Sequence, residues 1–498
     1  MKQILKIIRK KCLPFLKGHH EINNSQKKTV LSIPRARSLP LIGTKIDQIK
    51  GGLGTRLHEF IDSRHQVLGK IFMENFEKDL LFVSDAHLIR KLFINLEGKY
   101  PRHILPEPWL LYEKCYGQKR GLLFMDNEEW WQNRRIMNKL LLKDDANIWI
   151  GDSVTKTITI FIDDWKEKSK DGLVINDASS EFYKLSIKVL IQILIGTTTP
   201  PRGKHYDELI NMFTESVKKI FQTTTKLHGV PANWCQRFNF KVWREFKECV
   251  DLSMTLGNKI LNEILSINST NGLIKKLSDA KMDEQTMSRI IIDFILAAGD
   301  TTAYTSSWIF YLLSQNKDEV IEIRSKKQTH IPFVIKEAMR LYPVAPFLTR
   351  ILPEDSVLGD YSVNKGTPVV ASVYTSSRNE QYFSEPEQFL PYRWDRSDER
   401  KERLNNHVSF ASLPFALGIR SCIGRKIAMT LLTELVWQVV QNFDFDCINS
   451  QIIKPITSQA LIPNKNIELS LKLRHYDYIT LKTSECWHKK FLLALTVD

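Results

Sequence analysis

Residues 414–432, PFALGIRSCIGRKIAMTLL, constrain this chain more than any other stretch. Phe415, Gly418, Arg420, Cys422 and Gly424 form the pattern FxxGxRxCxG, and an apolar run of helical period follows at once. Five fixed positions at roughly one in twenty each, tried at about 500 starts, match by chance on the order of once in ten thousand sequences. A Cys just before a helix lies near the helix's positive end and its unpaired N–H groups, which favour a thiolate. Gly418 and Gly424 permit tight turns and the close approach of a flat ring. Arg420 offers a cation to an anionic group, and Phe415 can pack beside the sulfur and limit water. A structural Cys in a turn before an amphipathic helix is the plainer alternative. The loop as a whole points to a metal-ligating thiolate at Cys422.

The other six cysteines (12, 115, 235, 249, 447 and 486) show no CxxC or CxxxC spacing. An odd total without paired spacings argues against a disulfide framework or a zinc site and for a reducing compartment.

Charge is concentrated at the N-terminus. Residues 1–38 hold ten Lys/Arg and one acid, Glu21, and so carry +9 of the net +15. A nucleic-acid binder is expected to cluster its charge on the folded domain, so no nucleic-acid partner is expected. The leader MKQILKIIRKKCLPFLKGHH spreads Lys2, Lys6, Arg9, Lys10, Lys11 and Lys17 among Ile and Leu. Its composition fits a mitochondrial transit peptide, with a disordered basic arm as the alternative. It lacks the ~20 nearly uncharged apolar residues of a membrane span.

No Gly/Ser-rich or Pro-rich linker and no internal repeat divides the 498 residues. The expectation is one large domain over 39–474, an appendage over 1–38 and a tail over 475–498 of unknown role. Helical periodicity marks 128–143, 154–166, 178–196, 205–223, 240–266, 285–315 and 424–441. Val- and Ile-rich stretches bounded by Gly or Pro lie near 70–84 and 348–373. The fold class is therefore mainly α with a minor β region.

Three further motifs stand upstream and downstream of each other in a fixed order. Trp130 and Arg134 share one helix face. Ala297-Ala298-Gly299-Asp300-Thr301-Thr302 puts an acid and an alcohol inside an apolar helix, where polar groups need a partner or a task. Glu337 and Arg340, on a helix opened by Pro332 and closed by Pro343, precede Phe389-Leu-Pro391-Tyr-Arg393-Trp394. Together with the Cys loop, these resemble the cytochrome P-450 family over roughly residues 38–474.

The resemblance implies a haem-thiolate monooxygenase with the cytochrome P-450 fold. Haem b, iron protoporphyrin IX, would lie between a long central helix and the Cys-loop helix, with Cys422 on the metal. It implies that Trp130, Arg134, Arg350 and Arg420 meet propionates, with Phe415 and Gly424 beside the sulfur. Asp300 and Thr301 would deliver protons to dioxygen, and the small residues before them would leave room for it. Glu337, Arg340 and Arg393 would form a buried scaffolding triad. Ala297, Val344 and Phe347 would face an apolar substrate pocket, whose remaining wall comes from 103–120, 205–235 and 452–460. The family often has Glu where Leu431 stands; Glu434 follows one turn later.

Cys422-Ile-Gly424-Arg425-Lys426 resembles the mitochondrial class, in which basic residues after the Cys loop meet an acidic ferredoxin, itself fed by a reductase and NADPH. Lys336 is a further candidate contact. The segments HEFIDSRHQVLGKIF, NRRIMNKLLL, AAGDTTAYTSSW and ILPEDSVLGDY resemble the arthropod ecdysteroid-synthesising group of the Shadow type. That resemblance implies 2-hydroxylation of 2-deoxyecdysone to ecdysone, on the matrix side of the mitochondrial inner membrane with peripheral membrane association. Other ecdysteroid or sterol positions, a microsomal monooxygenase, a haem-thiolate isomerase and a non-catalytic haem sensor remain as alternatives. The leader argues against the microsomal reading, and the Asp300–Thr301 pair against the isomerase and the sensor.

Overall fold

A computed structural model describes residues 32–37 and 44–474, apart from 53, 77, 144, 171, 201–202, 228–230 and 268–270. The leader before residue 32 and the tail after residue 474 therefore lie outside the described residues.

The helices that matter for the site are α1 (Asn127–Leu141), α2 (Ala146–Lys168), α3 (Ala178–Ile195), α4 (Lys204–Leu227), α5 (Lys241–Leu265), α6 (Glu284–Gln315), α7 (Ile331–Leu341) and α8 (Arg425–Asn442). The longest is α6, with 32 residues, about 48 Å at 1.5 Å per residue. Asp283 starts it by accepting the N–H of Thr286 at 2.8 Å, and Glu284 complements the helix dipole. From Thr302 to Leu313 nearly every residue of α6 is buried, and α3 is likewise buried almost all round. Helices apolar on all faces belong at the centre of a large core. The two run against each other, with Phe182 stacked on Phe310 at 5.3 Å and Ser179 Oγ 3.0 Å from Ser307 Oγ. Gly299 allows the approach, because a Cβ there would collide with the Tyr183 ring. Gly299, one of the small residues before Asp300, is thus needed for this helix contact.

The β region is small. Strands β1 (Ile71–Asn75), β2 (Asp79–Val83), β3 (Phe347–Ile351) and β4 (Pro368–Ser372) form one sheet in the order β1-β2-β4-β3. β1–β2 and β3–β4 are antiparallel, while β2 and β4 run parallel. Met73 gives its N–H to Pro34 O at 2.8 Å and takes that of Ala36 at 3.1 Å. The chain thus joins the sheet edge already at residue 34, inside the segment assigned to the appendage. A hairpin of β5 (Pro455–Thr457) and β6 (Leu461–Pro463), a second hairpin of Ser356–Leu358 and Tyr361–Val363, and a three-stranded sheet of Leu173–Ile175, Phe443–Cys447 and Leu469–Leu473 make up the rest of the β structure among the described residues.

Of the five hydrophobic clusters among the described residues, the two largest lie one among the helices and one over the β1–β4 sheet. The Cys loop spans them: Phe415 packs on the helical cluster, and Leu413 and Leu417 on the sheet cluster. Among the described residues no helix is long and apolar enough to cross a membrane. The five described cysteines are all free thiols.

Candidate active site

The Cys loop is a tight, strained turn ahead of α8. The Cys422 N–H donates to Phe415 O at 2.9 Å and the Ser421 N–H to Gly418 O at 3.1 Å. Ala416 and Gly418 both adopt left-handed backbone, at φ 57° and 78°. A Cβ at Gly418 would collide with Phe93 O and the Glu97 carboxylate, so only Gly serves there. Gly424 is different. Its φ of −84° is open to any residue, and a Cβ there would meet only Cys422 Sγ, at 3.9 Å. The tight-turn role expected for both glycines belongs to Gly418, and Gly424 serves instead as the N-cap of α8.

Cys422 keeps accessible surface although protein atoms crowd it closely. Burial pushes its thiol up, while the Gly424 N–H, Arg134 and Arg425 pull the other way. A buried thiolate without a cation is costly, and a metal removes that cost.

Next to the loop lies a cluster of buried guanidiniums. Arg134, on α1, donates to Ser421 O at 2.6 Å, and its Nε has no partner. Arg350, on β3, pairs with Glu97 at 2.7 Å, lies over the Phe93 ring and leaves Nη2 without a partner. Arg420 donates to Pro101 O, Leu123 O and Met125 O at 2.6–2.9 Å and sits over the Trp130 ring at 4.9 Å. Burial, then the repulsion of Arg350 and Arg134 working against attraction from Asp126, brings Arg420 down to about 10. Burial does the same for Arg134, against attraction from Cys422 and Glu97. His103 is half-buried with its Nε2 atom inaccessible and unpartnered, and desolvation plus Arg420 and Arg350 hold it neutral, down to about 3.

Three buried cations and a neutral imidazole face two nearby carboxylates, Glu97 and Asp126. Buried polar atoms without partners are rare, and three of the nitrogens in this group, Arg134 Nε, Arg350 Nη2 and His103 Nε2, have none. The surplus positive charge and orphaned donors fit the two carboxylates of a haem beside a thiolate ligand. Glu97 and His103 are absent from every motif in the sequence; only the fold brings them to the loop.

On α6, Ala297 and Thr301 are exposed one turn apart, while most of the helix is buried. The Thr301 hydroxyl donates back to Ala297 O at 3.0 Å. Asp300 lies on the adjoining, buried side, 6% exposed, with no described side chain hydrogen-bonded to its carboxyl. Burial raises it to about 7, opposed by the charge of Lys218. Acid and alcohol are neighbours in sequence but diverge by about 100° around the helix.

Glu337, Arg340 and Arg393 meet, all fully buried. Arg340 binds both Glu337 oxygens at 2.8 and 2.9 Å, and Arg393 Nε binds Oε1 at 2.9 Å. Trp394 Nε1 and the Leu390 N–H add to the same carboxylate. Burial would raise Glu337, but the two guanidiniums outweigh it and hold it below its usual range.

Val344 is half-buried and its carbonyl accepts the Leu461 N–H of β6 at 2.9 Å, joining the end of α7 to the hairpin. Phe347 lies edge-on to Phe82 at 6.3 Å within the sheet, on the strand face opposite Arg350. Phe347 is half-buried and packs with Phe72, Phe82 and Val370 on that face of the sheet. Arg425 is exposed; Lys426 is half-buried and donates to Lys143 O at 2.9 Å; Lys336 is half-buried beside Phe333.

With this geometry in place, the comparisons are specific. The family profile described as Cytochrome P450 matches residues 33–471. The chain is 34% identical to "Cytochrome P450 315a1, mitochondrial" of Drosophila melanogaster, over 89% of this chain and 88% of that one. It is 25% identical to "1,25-dihydroxyvitamin D(3) 24-hydroxylase, mitochondrial" of Rattus norvegicus, over 91% of each. It is 27% identical to "Cholesterol side-chain cleavage enzyme, mitochondrial" of Hypanus americanus, over 78% of each.

Proposed function

The chain belongs to the cytochrome P450 family and is a monooxygenase; from that premise we propose that it hydroxylates an ecdysteroid at C2, converting 2-deoxyecdysone to ecdysone. What carries the reading is the set of segments resembling the ecdysteroid-synthesising group, in a chain whose relatives bear names ending in "mitochondrial". Two of those names specify steroid-derived substrates. The protein would act in the mitochondrion, associated peripherally with the matrix side of the inner membrane. Electrons would come from a ferredoxin reduced by its NADPH-dependent reductase.

In this reading the cofactor is haem b. Cys422 would ligate its iron, and Arg134, Arg350 and His103 would offer their unpartnered N–H groups to the propionates. Arg420, already bonded to three carbonyls, adds charge and ties the Cys loop to the segment before α1. Bound there, haem supplies activation of dioxygen, one atom of which enters a C–H bond while the other leaves as water. The protein's own groups do the rest. Phe415 shields the sulfur, and Gly424 keeps bulk away from it. Ala297 and Val344 line the apolar side that receives a rigid steroid. Thr301 exposes a hydroxyl that can leave Ala297 O and donate elsewhere. Asp300, held near 7, can both keep and release a proton at working pH.

The test is turnover of 2-, 20- and 22-deoxy ecdysteroids with ferredoxin, its reductase and NADPH, with products identified. A single product hydroxylated at C2 is expected. Oxidation at another carbon, or no turnover of any of the three, refutes the reading.

A further inference from the structure

A run of aromatic rings leads from the Cys loop to the surface. Trp130 is fully buried, and the Arg420 guanidinium lies over its ring at 4.9 Å. The Trp130 and Trp131 rings are 6.2 Å apart, and Tyr100 meets Trp131 edge-on at 6.5 Å. Trp131 and Tyr100 are both half-buried. The Tyr100 hydroxyl donates to Glu128 Oε2 at 2.5 Å, on the exposed first turn of α1. Adjacency in the chain sets the step between the two indoles. The fold makes the step to the phenol and its bond to the carboxylate, because 28 positions separate Tyr100 from Glu128.

Indole and phenol are among the side chains most readily oxidised, and rings this close exchange electrons quickly. Oxidation of a phenol also needs a place for its proton, because an oxidised phenol is a strong acid. Glu128 is that place. The hydrogen bond from Tyr100 chiefly holds its carboxyl below the usual range, so it stands ionised beside the hydroxyl. We propose that Trp130, Trp131 and Tyr100 form an electron relay that discharges oxidising equivalents left at the haem when turnover fails to hydroxylate a substrate, with a small soluble thiol as the reductant at the surface. The relay goes beyond hydroxylation and does not depend on which substrate the enzyme takes. It spares the oxidisable side chains of the same region, Cys422 and Met125, whose carbonyl holds Arg420.

A turnover that activates dioxygen without hydroxylating leaves two oxidising equivalents behind. Each is met by one electron, which passes from Tyr100 through Trp131 and Trp130. The Tyr100 O–H bond breaks as the electron leaves, and its proton goes to Glu128 and on to water. A thiol S–H bond then breaks, and its hydrogen atom re-forms the Tyr100 O–H. Two thiols become one disulfide. Their two electrons and two protons turn the unused oxygen atom into water.

The experiment mixes the substrate-free holoenzyme with hydrogen peroxide, which supplies the same oxidising equivalents, and freezes it for electron paramagnetic resonance. Loss of haem absorbance is followed in parallel, with and without a small thiol. All proteins are compared at equal haem content and with matching resting spectra. Direct consumption of peroxide by the thiol is the same in every protein, so the differences between variants carry the result. The parent should show a tyrosyl radical that thiol removes, and thiol should slow its bleaching several-fold. Tyr100→Phe should lose that radical and most of the protection. Trp131→Phe should lose both with Tyr100 still in place. Trp131→Tyr, which restores an oxidisable ring, should recover the protection, a rescue that packing alone would not produce. The proposal is overturned if Tyr100→Phe keeps the parent's radical, or if thiol protects Trp131→Phe as well as it protects the parent.

Discussion

Arg350 Nε and Glu97 Oε2 lie 2.7 Å apart, both nearly fully buried, although 253 positions separate them in the chain. The other Glu97 oxygen takes the Ile419 N–H at 2.9 Å, inside the Cys loop. One carboxylate thus fixes both a guanidinium of the anion cradle and the backbone that presents Cys422. Burial raises Glu97, and Arg350 chiefly opposes it.

Glu97→Gln keeps the size but takes from the buried Arg350 the carboxylate it pairs with. Breaking a buried pair from one side costs about 3–5 kcal/mol. We expect a lower unfolding midpoint and faster transfer of haem to an acceptor apoprotein. A variant with the parent's midpoint and haem retention would show that Glu97 does not organise the loop.

Asp300 gives a stability prediction with a definite sign. Its carboxyl lies at about 7 in the fold against an ordinary 3.8. Between those values the unfolded chain has released a proton that the fold still holds. Stability therefore falls as pH rises from about 4 to about 7 and levels off above. Asp300→Asn cannot ionise, so it should gain on the parent through that window, by a few kcal/mol at most at roughly 1.4 kcal/mol per unit. Denaturant unfolding of both proteins at several pH values checks this. Parallel curves would show that Asp300 ionises normally in the fold.

What could be read from the sequence divides by the range of the interaction. Helix α6 was legible because its period, its Asp283 cap and its 32 residues are local facts. The Glu337–Arg340 pair was legible for the same reason, since i and i+3 share a face. Helices at Leu57–Leu68 and Lys317–Lys326 were not expected; both are half-exposed and rich in charge, so their apolar stripes are thin. Glu97 was invisible because its partners, Arg350 and Ile419, are 253 and 322 positions away. Lys218 was invisible because a Lys on an amphipathic helix reads as solvated until α3 and α6 enclose it. The face that Phe347 takes could not be read from the motif, which gives an order of residues, whereas the strand's alternation sets it opposite Arg350.

Thr301→Ala should bind substrate as the parent does yet form less product per electron pair, with the difference appearing as peroxide. The Thr301 hydroxyl is exposed on α6 and tied only to Ala297 O, so its loss removes a movable donor without opening the core. One positioned proton donor contributes typically ~10²–10⁴-fold. Thr301→Ser, which keeps the hydroxyl, should recover much of the coupling. Equal coupling in Thr301→Ala and the parent would remove Thr301 from proton delivery.

Arg425→Glu together with Lys426→Glu should weaken ferredoxin-driven reduction and leave substrate binding unchanged. Both residues open α8, immediately after the loop that carries Cys422, so they lie on the sulfur's side of the site. Arg425 is exposed, and Lys426 is half-buried with its ammonium on Lys143 O at the α1–α2 turn. Electron transfer needs a short path, and this is the side from which the thiolate loop reaches the surface. Transient redox complexes are small and electrostatically steered. Reversing two charges replaces attraction to an acidic partner by repulsion and acts mainly on association. The defect should therefore shrink as salt rises, since screening acts over about 8 Å at physiological ionic strength. The charge of Arg425 also pulls on the Cys422 thiol, so the optical spectrum of the double variant must match the parent's before its kinetics are compared. Single Lys336→Glu serves as an independent probe of the same face from α7. The measurement is reduction rate against ferredoxin concentration at two salt levels. If the double variant follows the parent at low salt, the partner docks elsewhere.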